Sequence, residues 1–144
     1  MAEQKIMSAK DLRSLMDDIE TTNARKAREA AERERKAQEE LHDAFMKREL
    51  PPDIVERVST RVRWAAERGE KELLVMRFPS SFCTDQGRAI NNADPKWPQT
   101  LEGFAKRAYE FYESELKPNG FGLQVEIVDF PRGMPGDVGF TLVW

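Results

Sequence analysis

The apolar positions of this chain fall into two regimes that meet near Pro51. Ser8 offers an N-cap, with Asp11 three residues on as a weaker form of the capping-box glutamate. Leu12, Leu15, Met16 and Ile19 then recur at i, i+3, i+4, i+7, which is one apolar face of a helix. From Ala24 to Glu40 the sequence ARKAREAAERERKAQEE has no Gly, no Pro and no large apolar side chain. Alanine and long charged residues favour helix. Arg25–Glu29, Arg28–Glu32, Glu32–Lys36 and Lys36–Glu40 are opposite charges at i,i+4, each contributing about 0.2–0.5 kcal/mol. This stretch predicts a helix that buries little. Leu41, Ala44 and Phe45 restore an apolar stripe, and ELPPD stops the helix because Pro51 pushes Leu50 out of the α region.

Beyond Pro51 the pattern becomes that of a packed domain. Ile54, Val55, Val58, Val62 and Ala65 lie at helical spacing, with Trp64 and Ala66 beside them. Asp53 is a candidate N-cap and Gly69 a candidate C-cap. KELLVMRF reads as a strand, with Leu73, Val75 and Arg77 on one face and Leu74, Met76 and Phe78 on the other. Two largely apolar faces predict an inner strand, or one covered on both sides. NNADPKWP reads as a loop, and residues 98–117 as a helix ended by Pro118, Asn119 and Gly120. FGLQVEIVDF alternates, PRGMPGD turns, and VGFTLVW is a final strand. The last two strands predict an antiparallel hairpin. Should the first and second strands be parallel neighbours, their helical crossover is right-handed. The expected fold is α/β (α+β): a long N-terminal helix followed by a small α-β-α-β-β sandwich with a three-stranded sheet. Residues 1–7 are a flexible tail, 8–49 a charged helical arm and 51–144 the small α/β domain.

Composition narrows the function classes. Across 144 residues, 34% are charged and 40% apolar, and the net charge is −3. That balance supplies no global basic field for nucleic acid or anionic membrane. The six cations Arg25, Lys26, Arg28, Arg33, Arg35 and Lys36 are interleaved with Glu29, Glu32 and Glu34, whereas a phosphate-binding helix segregates its cations on one face. Nucleic acid is therefore not the expected partner. No apolar run approaches the roughly 20 residues that span a bilayer, and no apolar segment near the N-terminus predicts a secretory signal. A single Cys excludes an internal disulfide and predicts a reducing cytoplasm. With one His and one Cys a structural zinc site is not expected, and no motif in the chain points to another metal or cofactor.

Candidate chemistry concentrates in RFPSSFCTDQGRAINN, a polar loop after the first strand. Ser80, Ser81, Thr84 and Asn91 could hydrogen-bond a ligand, Gly87 allows close backbone approach, and Arg88 could grip a carboxylate or phosphate. Cys83 becomes a nucleophile only with a lowered pKa. Four residues separate Cys83 from Arg88, one short of the five that wrap a phosphate in cysteine phosphatases. A Cys83–His42 dyad needs the charged helix to reach back to this loop. The competing reading is structural: Cys83 as a small buried hydrophobe, and Ser, Asp and Asn tying their own backbone. No catalytic residue emerges. Asp129 and Asp137 flank the hairpin connection and either share a cation or cap turns. Trp97 either covers the end of the core or lies exposed beside Arg88 and Arg132.

The strings RFPSSFCTDQGRAINN, PQTLEGFAKRAYEFYESELKPNGF and DFPRGMPGDVGFTLVW resemble those of small uncharacterised proteins of rhizobia-like alphaproteobacteria, over about residues 51–144. The resemblance implies a bacterial, cytoplasmic domain and transfers no activity to any position. The leading expectation is a non-enzymatic interaction or adaptor module. Its N-terminal helix oligomerises or binds a partner protein through Leu12, Leu15, Met16 and Ile19. The alternative is a small-molecule or anion-binding protein, or an enzyme, using the 79–92 loop through Ser80, Ser81, Cys83, Thr84, Arg88 and Asn91. A coiled-coil seam through Met16, Asn23, Ala30, Ala37 and Ala44 is too small and polar in its middle to supply strong pairing.

Overall fold

The computed structural model describes residues 6–144, and residues 1–5 of the expected tail lie outside them. The chain forms two compact units, divided between Leu41 and His42. Helix α1 (Ala9–Lys47) begins where expected, the Ser8 hydroxyl accepting a hydrogen bond from the Asp11 amide at 3.1 Å. None of its residues is buried. Arg25 pairs with Glu29 at 3.9 Å as predicted. The other three predicted pairs are replaced by a different set: Arg35 bridges Glu32 and Glu39. A guanidinium fork reaches both i−3 and i+4 carboxylates, and Glu32 is taken by Arg35 in place of Arg28 or Lys36.

The second unit holds the last turn of α1, then α2 (Ile54–Glu67), β1 (Glu72–Pro79), α3 (Arg88–Asn91), α4 (Gly103–Phe111), β2 (Gly122–Ile127) and β3 (Asp137–Val143). Asp53 occupies the N-cap position of α2 without capping it; its carboxylate pairs with Arg57 at 2.9 Å instead. Gly69 closes α2 in the left-handed region at φ +79°.

The expected three-stranded sheet is present, with order β1-β3-β2 and antiparallel neighbours throughout. The β2–β3 hairpin forms as predicted. Because β3 separates β1 from β2, they are not parallel neighbours, and β1 is an edge strand rather than an inner one. The chemistry explains the order. Val138, Phe140 and Leu142 are buried to 2% exposure or less, giving β3 an apolar core face. β1 instead carries Glu72, Arg77 and Pro79, which an edge tolerates. The alternation predicted for β1 also breaks. A bulge between Leu74 and Met76 inserts Val75, so Leu73, Met76 and Phe78 oppose Leu142, Phe140 and Val138 on the core face.

The helix expected over 98–117 begins later and ends differently. Trp97–Thr100 is a 3-10 turn, Leu101 and Glu102 are extended, and α4 starts at Gly103. It then widens into a π turn over Tyr112–Leu116 and tightens into a 3-10 turn over Lys117–Asn119. Gly103 is required at this start. Its φ is +58°, and a Cβ there would lie 2.7 Å from Met46 Cα. Arg107 fixes the same junction, donating to the carbonyls of Met46 at 3.0 Å and Arg48 at 2.8 Å, two of the unpaired acceptors at the end of α1. Phe45 completes the core, its ring 5.3 Å from Phe78 and 4.9 Å from Phe82.

Candidate functional site

The polar loop after β1 spends its best hydrogen-bonding groups on backbone, its own and that of the β2–β3 connection. Ser80 is buried, and its hydroxyl donates to the Pro135 carbonyl at 3.2 Å while its amide donates to Gly136. Asp85 accepts from the amides of Gly87 at 3.0 Å and Ala89 at 2.8 Å, opening α3. Gly87 sits at φ +81°, and a Cβ there would lie 2.8 Å from Ser80 Cβ. Ser81, Thr84, Arg88 and Asn91 are exposed. Of the six loop residues singled out by sequence, Ser80 and Cys83 therefore point into the protein and the other four toward water.

Cys83 is 4% exposed, and burial pushes its thiol from the ordinary 9.0 up to about 11, with a Thr100 hydrogen bond opposing the rise. A neutral, buried thiol is a poor nucleophile. The end of α1 does reach this loop, but the contact is between rings: His42 meets Phe82 edge-on at 5.2 Å. Trp97 covers the core, edge-on to Tyr109 at 5.2 Å and Phe140 at 6.4 Å.

The two hairpin aspartates do approach one another, and the cation they share is Arg77. Its Nε donates to Asp137 at 2.8 Å and its Nη2 to Asp129 at 3.1 Å. Asp129 also accepts from the Asp137 amide at 2.6 Å, so it ties the turn as well. The hydrogen bond to Asp137, the largest influence, raises the Arg77 pKa further. The sequence pattern marks Arg77 only as a strand residue. Its partners lie 52 and 60 positions away, beyond any local signal.

One feature had no counterpart in the sequence pattern: a cleft of about 440 Å³ between α2 and α4, floored by the sheet. Phe140, Leu142 and Leu123 form its floor, with Val58, Ala108 and Phe111 among its walls. Every charged side chain lining it is an arginine: Arg48, Arg57, Arg61 and Arg77. Arg61 donates to the carbonyls of Leu74 at 3.1 Å and Val75 at 3.3 Å, holding the bulge. Arg48 lies over the Phe104 ring, 4.3 Å from its centroid.

In the first unit, the sequence-predicted contact residues lie along one stripe of α1 and are all exposed. Leu12 is 45% exposed, Leu15 43%, Met16 67% and Ile19 51%. No helix among the described residues is long and apolar enough to cross a membrane, and no group of three or more metal-ligating side chains occurs among them. Comparison with protein-family models, curated proteins and solved structures found no match.

Proposed function

We propose that this chain is an interaction module that associates, with itself or with a partner protein, through the apolar stripe of α1. The carrying observation is a 39-residue helix with no buried residue that nevertheless bears Leu12, Leu15, Met16 and Ile19 on consecutive turns. Charged side chains alone would keep such a helix solvated; four large apolar residues on one face serve burial. Fully burying one such side chain contributes about 1.5–3 kcal/mol, and these four are already about half covered by their own helix. The stripe therefore supplies a few kcal/mol per copy, against an association cost of about 4–15 kcal/mol. Self-association by this stripe alone is weak and concentration-dependent, and a partner with a longer apolar groove binds more tightly.

The test is native mass spectrometry and light scattering on the full chain, beside a variant with Leu12→Gln, Leu15→Gln, Met16→Gln and Ile19→Gln. The expected outcome is a concentration-dependent dimer, or a co-purifying protein, that the variant loses while keeping its far-UV helix signal. Identical assembly and identical co-purification in the two proteins would sink the proposal.

A further inference from the structure

We infer that the cleft between α2 and α4 binds a small amphipathic anion: a carboxylate whose apolar tail lies on the sheet and whose charge meets Arg48 and Arg61. The size is right for a ligand, since about 440 Å³ falls inside the roughly 300–1,000 Å³ of small-molecule sites. The floor and walls are aromatic and aliphatic, which selects an apolar tail. The charge selects the sign. Four arginines line the cleft and no Asp or Glu does. Arg57 is committed to Asp53, and Arg77 to Asp129 and Asp137. Neither Arg48 nor Arg61 has a carboxylate partner among the described residues.

Arg61 spends Nη1 and Nη2 on the bulge carbonyls, but a guanidinium carries five N–H donors, so capacity remains. Its carbonyl partners also hold it in place before any ligand arrives. Arg48 is likewise held, by its stacking on Phe104. Arginine forks match the two oxygens of a carboxylate; Arg48 and Arg61 are both exposed, so the attraction is screened by salt and strongest at low ionic strength. A cation would meet repulsion at this rim, and a neutral apolar molecule would leave it unused.

The site lies in the second unit and does not depend on α1 as an interaction arm. The experiment is isothermal titration of octanoate into the full chain at low salt, beside octan-1-ol as the uncharged probe of equal length. Arg48→Gln and Arg61→Gln are titrated in parallel. The expected result is one octanoate per chain, binding roughly tenfold or more tighter than octanol, with each substitution weakening octanoate about tenfold and leaving octanol unchanged. Arg61 holds the bulge, so its variant could perturb folding; Arg48→Gln removes no hydrogen bond to the backbone and decides the matter. No saturable octanoate binding at millimolar concentration, equal affinity for octanol, or unchanged octanoate affinity in Arg48→Gln would overturn the inference.

Discussion

Gly103 stands where the last turn of α1 presses against the first turn of α4. Its positive φ disfavours any side chain, and a Cβ would strike the Met46 backbone at 2.7 Å. Neither obstacle can be relieved by a rotamer change. Gly103→Ala should therefore cost about 2–4 kcal/mol of stability, read as a lower urea midpoint. A midpoint equal to wild type would show that this junction is looser than described. Cys83 gives a second residue-level expectation. Its folded pKa of about 11 lies above the ordinary 9.0, because burial disfavours the thiolate. The unfolded chain then loses this proton first as pH rises. Stability from the buried thiol is complete below pH 9 and falls away between about pH 9 and 11. Tyrosines and lysines titrate nearby, so the measurement is the difference between wild type and Cys83→Ala across that window. Parallel stability curves would assign the loss to other groups.

At the scale of elements, the helices differ in what holds them. α1 draws on local terms, its cap at Ser8 and exposed ion pairs such as Arg35 with Glu32 and Glu39. Such pairs contribute only tenths of a kcal/mol and weaken with salt. β3 draws on the whole core, with Val138, Phe140 and Leu142 buried between two neighbouring strands. Hydrogen exchange should separate the two by orders of magnitude. Amides over Ala24–Glu40 should exchange through local fraying, faster at higher salt, while those of Val138–Leu142 exchange only on global unfolding. Equal protection in the two segments would mean that α1 is covered along its length. The edge strand β1 lies between these extremes: its bulge is pinned by Arg61 on one side, and Arg77 anchors its end to the hairpin turn.

For the whole molecule, the division between local and long-range forces decides what could be read from the chain. The amphipathic stripe at Leu12–Ile19, the cap at Ser8, the stop before Pro51, Gly69 at the end of α2 and the alternation of Leu123, Val125 and Ile127 were all legible. Each expresses a preference within a few residues, through hydrogen-bonding period, steric limits on φ or side-chain direction. The mixed α/β class and the three strands follow from those preferences. The strand order did not follow, because any of the three strands could have taken the centre until their apolar faces competed for it. Nor did the bulge at Val75, a one-residue slip that turns Met76 toward the core. The loop from Ser80 to Asn91 resembles chemistry because hydroxyls, amides and an arginine are also what ligands need; only the fold shows Asp85 tying the loop's own amides and Ser80 bonded to the Pro135 carbonyl of the hairpin connection. The arginine-lined cleft belongs entirely to tertiary structure. Arg48 follows α1, Arg57 and Arg61 lie on α2 and Arg77 on β1, and they line one space only once α2, α4 and the sheet enclose it. Local periodicity sets which segments are helix or strand; the meeting of residues tens of positions apart is set by the packing that lowers the free energy of the whole chain.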